Sequence, residues 1–182
     1  IQLGTYVHRV LELQEKGRTR EEALEQALDV LDEEDADEKS AVTLARKATF
    51  KREGKTLVDQ YCSSPLFQTI AGQKAQAEVG FELPLYTFDG GNVVFKGSID
   101  RLVDLENGQL GIVDYKTGHP PAGGEERQGY TRQLTIYAKA AETLEPDKKV
   151  AWARLHFLQD CSAWELENRA REEKKLEQLL QK

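Results

Sequence analysis

The sequence predicts an α/β chain: helices first, then a three-strand antiparallel meander, then a helix, a strand and a helix. Three observations predict it. Apolar residues in the first third recur at helical spacing. The middle third turns to β-branched and aromatic runs divided by turns that carry Gly and Asn. The last third alternates a helical pattern with a strand pattern. At 182 residues the chain has room for one domain with a sizeable core. It reads as a single domain over 1–182, with a helical region over 1–74, a sheet and its crossover helix over 75–160, and a terminal helix over 161–182.

Each element has its own signal. Tyr6, Val7, Val10, Leu11 and Leu13 follow the 3.6-residue period, and Gly17 ends that helix. Thr19-x-x-Glu22 is a capping-box pattern, so a second helix starts after Thr19 and turns Ala23, Leu24, Ala27, Leu28 and Leu31 inward. A third helix spans about 40–61 and stops before Ser63-Ser64-Pro65. Its Lys47, Lys51 and Lys55 lie at i, i+4 and i+8. We read that stripe as a solvated face, with a phosphate-contacting face as the alternative.

Strands follow over 77–88, 93–105 and 109–115, with Asp89-Gly90-Gly91-Asn92 and Glu106-Asn107-Gly108 as the turns between them. Pro120-Pro121 with Gly123-Gly124 marks a loop. A helix over 125–144, a strand over 150–158 and a charged helix from Ser162 complete the order.

Composition narrows the function. No apolar run reaches the ~18 residues of a membrane span, and no targeting segment opens the sequence. The chain has no methionine, so it reads as a piece of a longer polypeptide. Net charge is −7, yet Asp29 to Glu38 alone holds seven acids and no base, and the remainder is neutral. The strip reads as a solvated helix end or loop, and nucleic acid stays open as a partner. Two cysteines, Cys62 and Cys161, form no CxxC and cannot supply four ligands to a zinc or iron–sulfur site; they read as buried reduced thiols.

Two segments carry chemistry: Gly97-Ser98-Ile99-Asp100-Arg101 and Ile112-Val113-Asp114-Tyr115-Lys116-Thr117-Gly118. Each sets an Asp inside an otherwise apolar strand, where desolvating a carboxylate costs several kcal/mol, roughly, unless it is matched. The turn between the strands decides whether the two meet. A two-residue Asn107-Gly108 turn sets Asp100 opposite Tyr115, with the aspartates on opposite faces. A three-residue Glu106-Asn107-Gly108 loop with Gly108 at positive φ sets Asp100 opposite Asp114 and Ser98 opposite Lys116. In that second register two carboxylates can hold a hard cation such as Mg²⁺, leaving positions for water and a phosphate oxygen. Lys116 can then orient or deprotonate the attacking water, or stabilise the oxyanion. The structural alternative is an Asp114–Lys116 pair on a partly exposed face.

Asp100 followed by Asp114-x-Lys116 on consecutive strands resembles the PD-(D/E)xK nuclease superfamily. Gly4-Thr5-Tyr6-Val7-His8, the Gly97 to Arg101 string, Asp114-Tyr115-Lys116-Thr117-Gly118 and Gln133-x-x-x-Tyr137 together resemble its RecB-type nuclease domains, the nuclease modules of bacterial RecB and AddA helicase–nucleases. The resemblance implies a restriction-endonuclease-like α/β fold, with a central mixed sheet holding the meander, flanking helices and extra N-terminal helices. It implies that His8, Asp100, Asp114 and the Tyr115 backbone carbonyl hold Mg²⁺ or Mn²⁺ and that Lys116 is the catalytic lysine. Gln133 and Tyr137 would support the site and contact DNA. Glu78 matches an acidic first-strand position, with a strand-edge salt bridge as its alternative. The two cysteines imply no iron–sulfur cluster, and the absence of a Gly-x-x-x-x-Gly-Lys-Ser/Thr loop implies no nucleotide cofactor in this piece.

The function so implied is a divalent-metal-dependent deoxyribonuclease, in the first instance an exonuclease. It would serve DNA double-strand-break repair and recombination in the bacterial cytoplasm, with no membrane association. A helicase motor in the same full-length polypeptide, with a partner subunit, would deliver a single strand of DNA to it. The alternatives are a catalytically silent nuclease-like module that binds DNA or a partner subunit, and a metal-dependent hydrolase of another phosphoester. His119 reads as solvent-exposed, and His156 has no assigned role.

Overall fold

Thr19 starts a helix as its spacing requires. In the computed structural model, which describes residues 3–31, 41–88 and 91–180, the Thr19 hydroxyl accepts from the Glu22 N–H and the Glu22 carboxylate accepts from the Thr19 N–H. Together they satisfy two donors that a helix start leaves open. The chain divides into two units, one formed by Ile1–Gly72, Tyr115–His119 and His156–Ser162, the other by Gln73–Asp114, Pro120–Leu155 and Ala163–Lys182.

In the first unit α1 (Leu3–Glu15) buries Tyr6, Val7, Val10, Leu11 and Leu13, the stripe its sequence prescribes. It ends at Gly17, whose φ of 88° lets Gly17 N donate to Gln14 O and Arg18 N to Leu13 O. α2 (Arg20–Gln26) is tied to α1 by the Tyr6 hydroxyl, which donates to Leu24 O at 2.8 Å. α3 (Ala41–Cys62) approaches α1 closely because Gly54 has no side chain: a Cβ there would sit 2.4 Å from the Tyr6 ring. Lys51 pairs with Glu25 and Lys55 with Asp59, so the lysine stripe is in part an ion-paired surface. A short α4 (Pro65–Gln68), capped by Ser64 with Pro65 at its first position, follows. The acidic strip from residue 32 onward lies outside the described residues, as do residues 89–90 of the first turn.

β1 (Ala75–Phe88), β2 (Gly91–Leu105) and β3 (Gln109–Lys116), which lie in the second unit up to Asp114, form the expected antiparallel meander. After β3, α5 (Gly124–Leu144) crosses to β4 (Lys149–Phe157), and the five-stranded sheet runs β1-β2-β3-β4-β5. Leu158 N donates to Lys116 O at 2.8 Å, so β3 and β4 end side by side, the parallel arrangement that a helical crossover produces. The sheet is therefore mixed. Gly111 leaves room for the Trp152 ring against β3, since a Cβ at that position would lie 2.2 Å from it.

The end of the chain corrects the sequence reading. Residues Ser162–Glu165 form β5, and the terminal helix α6 begins only at Arg169 and runs to Leu180. Pairing with β4, through Leu166 N to Ala153 O at 2.9 Å, captures the segment. A four-residue alternation is too short to announce itself in the sequence, whereas the charged helical pattern after it is long. Cys161, expected to be buried, is partly exposed at the turn into β5, with φ at 53°.

Ion pairs hold α6 to α5: Lys139 lies 3.6 Å from Glu177, and a closer pair sits at the start of α6. Arg169 reaches Glu142 with two guanidinium nitrogens, at 2.8 and 3.1 Å, and the Val150 N–H also donates to Glu142. The Arg169 hydrogen bonds dominate in pulling the Glu142 carboxyl down to about 2 from its ordinary 4.5. A carboxyl lowered on folding stabilises the fold above its ordinary value and loses that contribution as pH falls through its folded value. Glu142→Gln is therefore expected to melt lower than the parent at pH 7, with the gap closing between about pH 4.5 and 2. Thermal melts of both proteins across that range check it, and parallel curves would refute it.

Candidate active site

The register of the β2–β3 pair sets what the site can be. Arg101 faces Val113, Leu102 faces Ile112 and Leu105 faces Gln109, closing over the three-residue Glu106–Gly108 loop. The next rung outward from Arg101 and Val113 is Asp100 and Asp114. Gly108 has φ 72°, as the three-residue loop demands, and Asn107 joins it in the left-handed region at 62°. Of the two registers open from sequence, this is the one that brings the aspartates to one face.

Asp114 is 2% exposed. Gln133, on the face of α5 over the sheet, donates its side-chain N–H to Asp114 Oδ1 at 3.0 Å and also to the Tyr137 hydroxyl at 3.0 Å. One amide thus fixes the carboxylate and the phenol together, which is why the two residues must stand i, i+4 on one helix. Because the phenol oxygen accepts from Gln133, its own proton stays available as a donor. Burial in the first place pushes the Tyr137 phenol up to about 12, and the charges of Asp114, Asp100 and Glu78 add to the rise. All three carboxylates therefore act on one phenol, and at neutral pH it stays protonated.

Glu78, on β1, lies within 4.8 Å of Asp100, carboxylate oxygen to carboxylate oxygen, and accepts from the Ser98 hydroxyl at 2.8 Å. No ion pair to Glu78 exists among the described residues. Its backbone is one of the irregular points of β1, the other being the register shift between Pro84 and Tyr86. Ala77 pairs with Arg101 and Val79 with Ile99, while Glu78 between them has φ 50°. A non-glycine residue held there costs on the order of 1–3 kcal/mol, and such strain collects at functional positions.

The first unit holds the other predicted residues. His8, on α1, donates from Nε2 to the Tyr115 carbonyl at 2.8 Å. That spacing suits two ligands on one octahedral ion, since bonds of about 2.1 Å at right angles separate adjacent ligand atoms by ~3.0 Å. A hard, oxygen-rich donor set with one imidazole fits Mg²⁺ or Mn²⁺. Tyr115 packs edge-on against Tyr61 and His156. His156 is fully buried, with Nδ1 2.6 Å from the Tyr61 hydroxyl, so it belongs to the core. Lys116 is half-buried at the end of β3 and shares the Asp114 face by strand alternation. His119 is exposed, 3.8 Å from the Asp160 carboxylate.

The structure brings Glu78, Asp100, Asp114, Gln133 and Tyr137 together in one unit, and His8 with the Tyr115 carbonyl in the other. It adds Tyr130, which sequence reasoning does not single out. Tyr130 donates to Glu126 and feels the Asp114 charge, and its phenol is raised chiefly by burial. Its spacing from Gln133 and Tyr137 on α5 is the available signal. Arg101, part of the Gly97 string but given no role, is 3% exposed.

A mixed sheet with two aspartates on adjoining strands, an Asp-x-Lys strand end and a crossover helix clamping the second aspartate defines a nuclease-type α/β fold. The chain belongs to the PD-(D/E)XK nuclease superfamily, whose family model matches residues 1–182. Two curated relatives, from two strains of Streptococcus equi subsp. zooepidemicus and each named as the B subunit of an ATP-dependent helicase/deoxyribonuclease, are 34% and 31% identical over 150 residues. The match takes in 75% of this chain and 13% of each relative, so the chain spans about an eighth of their length. Among solved structures, SSO0001 is similar at 15% identity with a TM-score of 0.43, covering 100% of this chain and 76% of its own, a likeness too loose to bear on the site. No helix among the described residues is long and apolar enough to cross a membrane.

Proposed function

We propose that the chain is the metal-dependent nuclease module of a RecB/AddA-like helicase–deoxyribonuclease, cutting phosphodiesters in a DNA strand that a motor in the same polypeptide delivers. The observation that carries the reading is the β2–β3 register, which, continued one residue past Arg101 and Val113, sets Asp100 opposite Asp114 on one face. His8, Asp100, Asp114 and the Tyr115 carbonyl would hold the cation, with Glu78 next to Asp100. When bound, Mg²⁺ or Mn²⁺ supplies a Lewis acid that acidifies water and offsets charge on the phosphate. The chain's own groups do the rest. Gln133 holds Asp114 in place, Lys116 orients the attacking water or takes its proton, and the Tyr137 phenol offers its proton to a phosphate oxygen. The repair and recombination setting and the bacterial cytoplasm are part of the same proposal, which the similarity to helicase/deoxyribonuclease subunits supports.

The test is degradation of a labelled single strand in Mg²⁺, in Mn²⁺ and in EDTA, by the chain and by Asp114→Ala. Cleavage in metal alone, lost in the variant with folding intact by circular dichroism, is expected. Equal cleavage by the variant, or cleavage in EDTA, would overturn the reading. A chain that binds the strand and never cuts it, even within its full-length polypeptide, would favour a silent binding module.

A further inference from the structure

α5 has a second face. Gly124, Arg127, Thr131 and Thr135 stand at helical spacing on it, away from the Gln133–Tyr137 stripe, and they line one wall of an open groove of about 1040 Å³. α6 supplies the opposite wall through Arg171 and Lys175, and Trp164 of β5 closes the floor. Four cations, Arg127, Arg132, Arg171 and Lys175, face two acids, Glu167 and Glu172. Arg171 and Lys175 share the single carboxylate of Glu172, each at 2.9 Å. Arg127 and Arg132 make no ion pair among the described residues, and the Arg127 guanidinium lies over the Trp164 ring, 5.5 Å from its centroid. The groove is thus positive by two charges in a chain whose net charge is −7.

We infer that the α5–α6 groove seats the phosphodiester backbone of a single nucleic-acid strand, which deepens the proposed nuclease function and rests on it. The volume exceeds that of most small-ligand pockets, and cations on both helices suit an extended polyanion, while Leu176, Leu179 and Trp164 give the bases apolar surface. Trp164, with arginine beside it, adds the aromatic surface on which bases stack in strand-binding proteins. From Gly124 to Thr135 the helix rises about 17 Å, the length of roughly five stacked nucleotides at ~3.4 Å each. The groove and the Asp114 clamp lie on one rigid helix, so a strand gripped by the first face is held in fixed relation to the second.

The experiment is fluorescence anisotropy of labelled oligothymidylates in EDTA, where nothing is cut, with the chain, with Arg127→Glu/Arg132→Glu, and with Arg127→Gln/Arg132→Gln. Both positions are exposed, and circular dichroism checks each fold. Affinity is expected to rise with length up to about five nucleotides and then level off. The charge reversal should weaken binding at least tenfold, and the glutamine pair should flatten the salt dependence by about 1.4 in logarithmic slope, ~0.7 for each phosphate no longer neutralised. Unchanged affinity in both variants, no binding by the parent, or tighter binding of a polyglutamate peptide than of the strand would each overturn the inference. Because binding is read without cleavage, the two readings fail separately. A chain that binds through these arginines but never cuts keeps the groove and loses the nuclease, and a chain that cuts with binding indifferent to them does the reverse.

Discussion

Replacing Lys116 by alanine is expected to lower single-turnover strand cleavage by about a thousandfold while leaving the fold and cation binding in place. Lys116 is the last residue of β3, and its backbone carbonyl is already engaged by Leu158 N at 2.8 Å, so the strand end survives loss of the side chain. What disappears is an ammonium on the Asp114 face, two residues along the strand. Lys116→Arg separates its two possible tasks, because arginine keeps the charge but cannot take a proton from water. Substantial activity in the arginine variant would assign Lys116 to charge stabilisation, and loss in both would assign it to the water. Cleavage by Lys116→Ala within threefold of the parent would remove the lysine from the mechanism.

Asp100→Asn is expected to stabilise the metal-free chain and to abolish its response to Mn²⁺. Without a cation, Asp100 stands within 4.8 Å of Glu78, and both act with Asp114 on the Tyr137 phenol. Like charges so close repel by on the order of a kcal/mol or more, and the amide removes one of them at constant shape. In EDTA at pH 7 the variant should therefore melt a few degrees higher. With Mn²⁺ at a hundred times its dissociation constant, the parent should gain about 2.7 kcal/mol, a rise of roughly 5–10 °C, and the variant almost nothing. Equal shifts in the two proteins would take Asp100 out of the cation site. The pairing of higher intrinsic stability with lost binding is what a site built on crowded carboxylates predicts.

Most elements are legible in the sequence because their signals are local. The 3.6-residue stripe of α1, the Thr19–Glu22 box and the Glu106-Asn107-Gly108 loop each lie within a few residues, and each forms in the structure. β5 is not legible, since its pairing with β4 is what distinguishes Ser162–Glu165 from the start of a helix. Glu78 carries the weakest sequence signal among the candidates because a strand acid has many uses. Its left-handed backbone and its place beside Asp100 exist only once β1 and β2 pair. Tyr130 is hidden for the same reason, as helical spacing becomes meaningful only when one face is known to cover an aspartate.

By itself the sequence determined the residue types, the order of elements up to β4 and the superfamily, since helix caps, apolar period and the Asp-x-Lys string are properties of neighbours along the chain. It left two registers open for the aspartates, one with Asp100 opposite Asp114 and one with the two on opposite faces. Tertiary structure decided between them. The loop closed at Leu105 and Gln109 with two residues at positive φ, and a one-residue slip would have turned Asp114 away from Gln133. The α5–α6 groove is likewise a product of folding. Its arginines sit on two helices whose spacing is fixed by Glu142 and Arg169, and nothing in their separate sequences brings them into one surface.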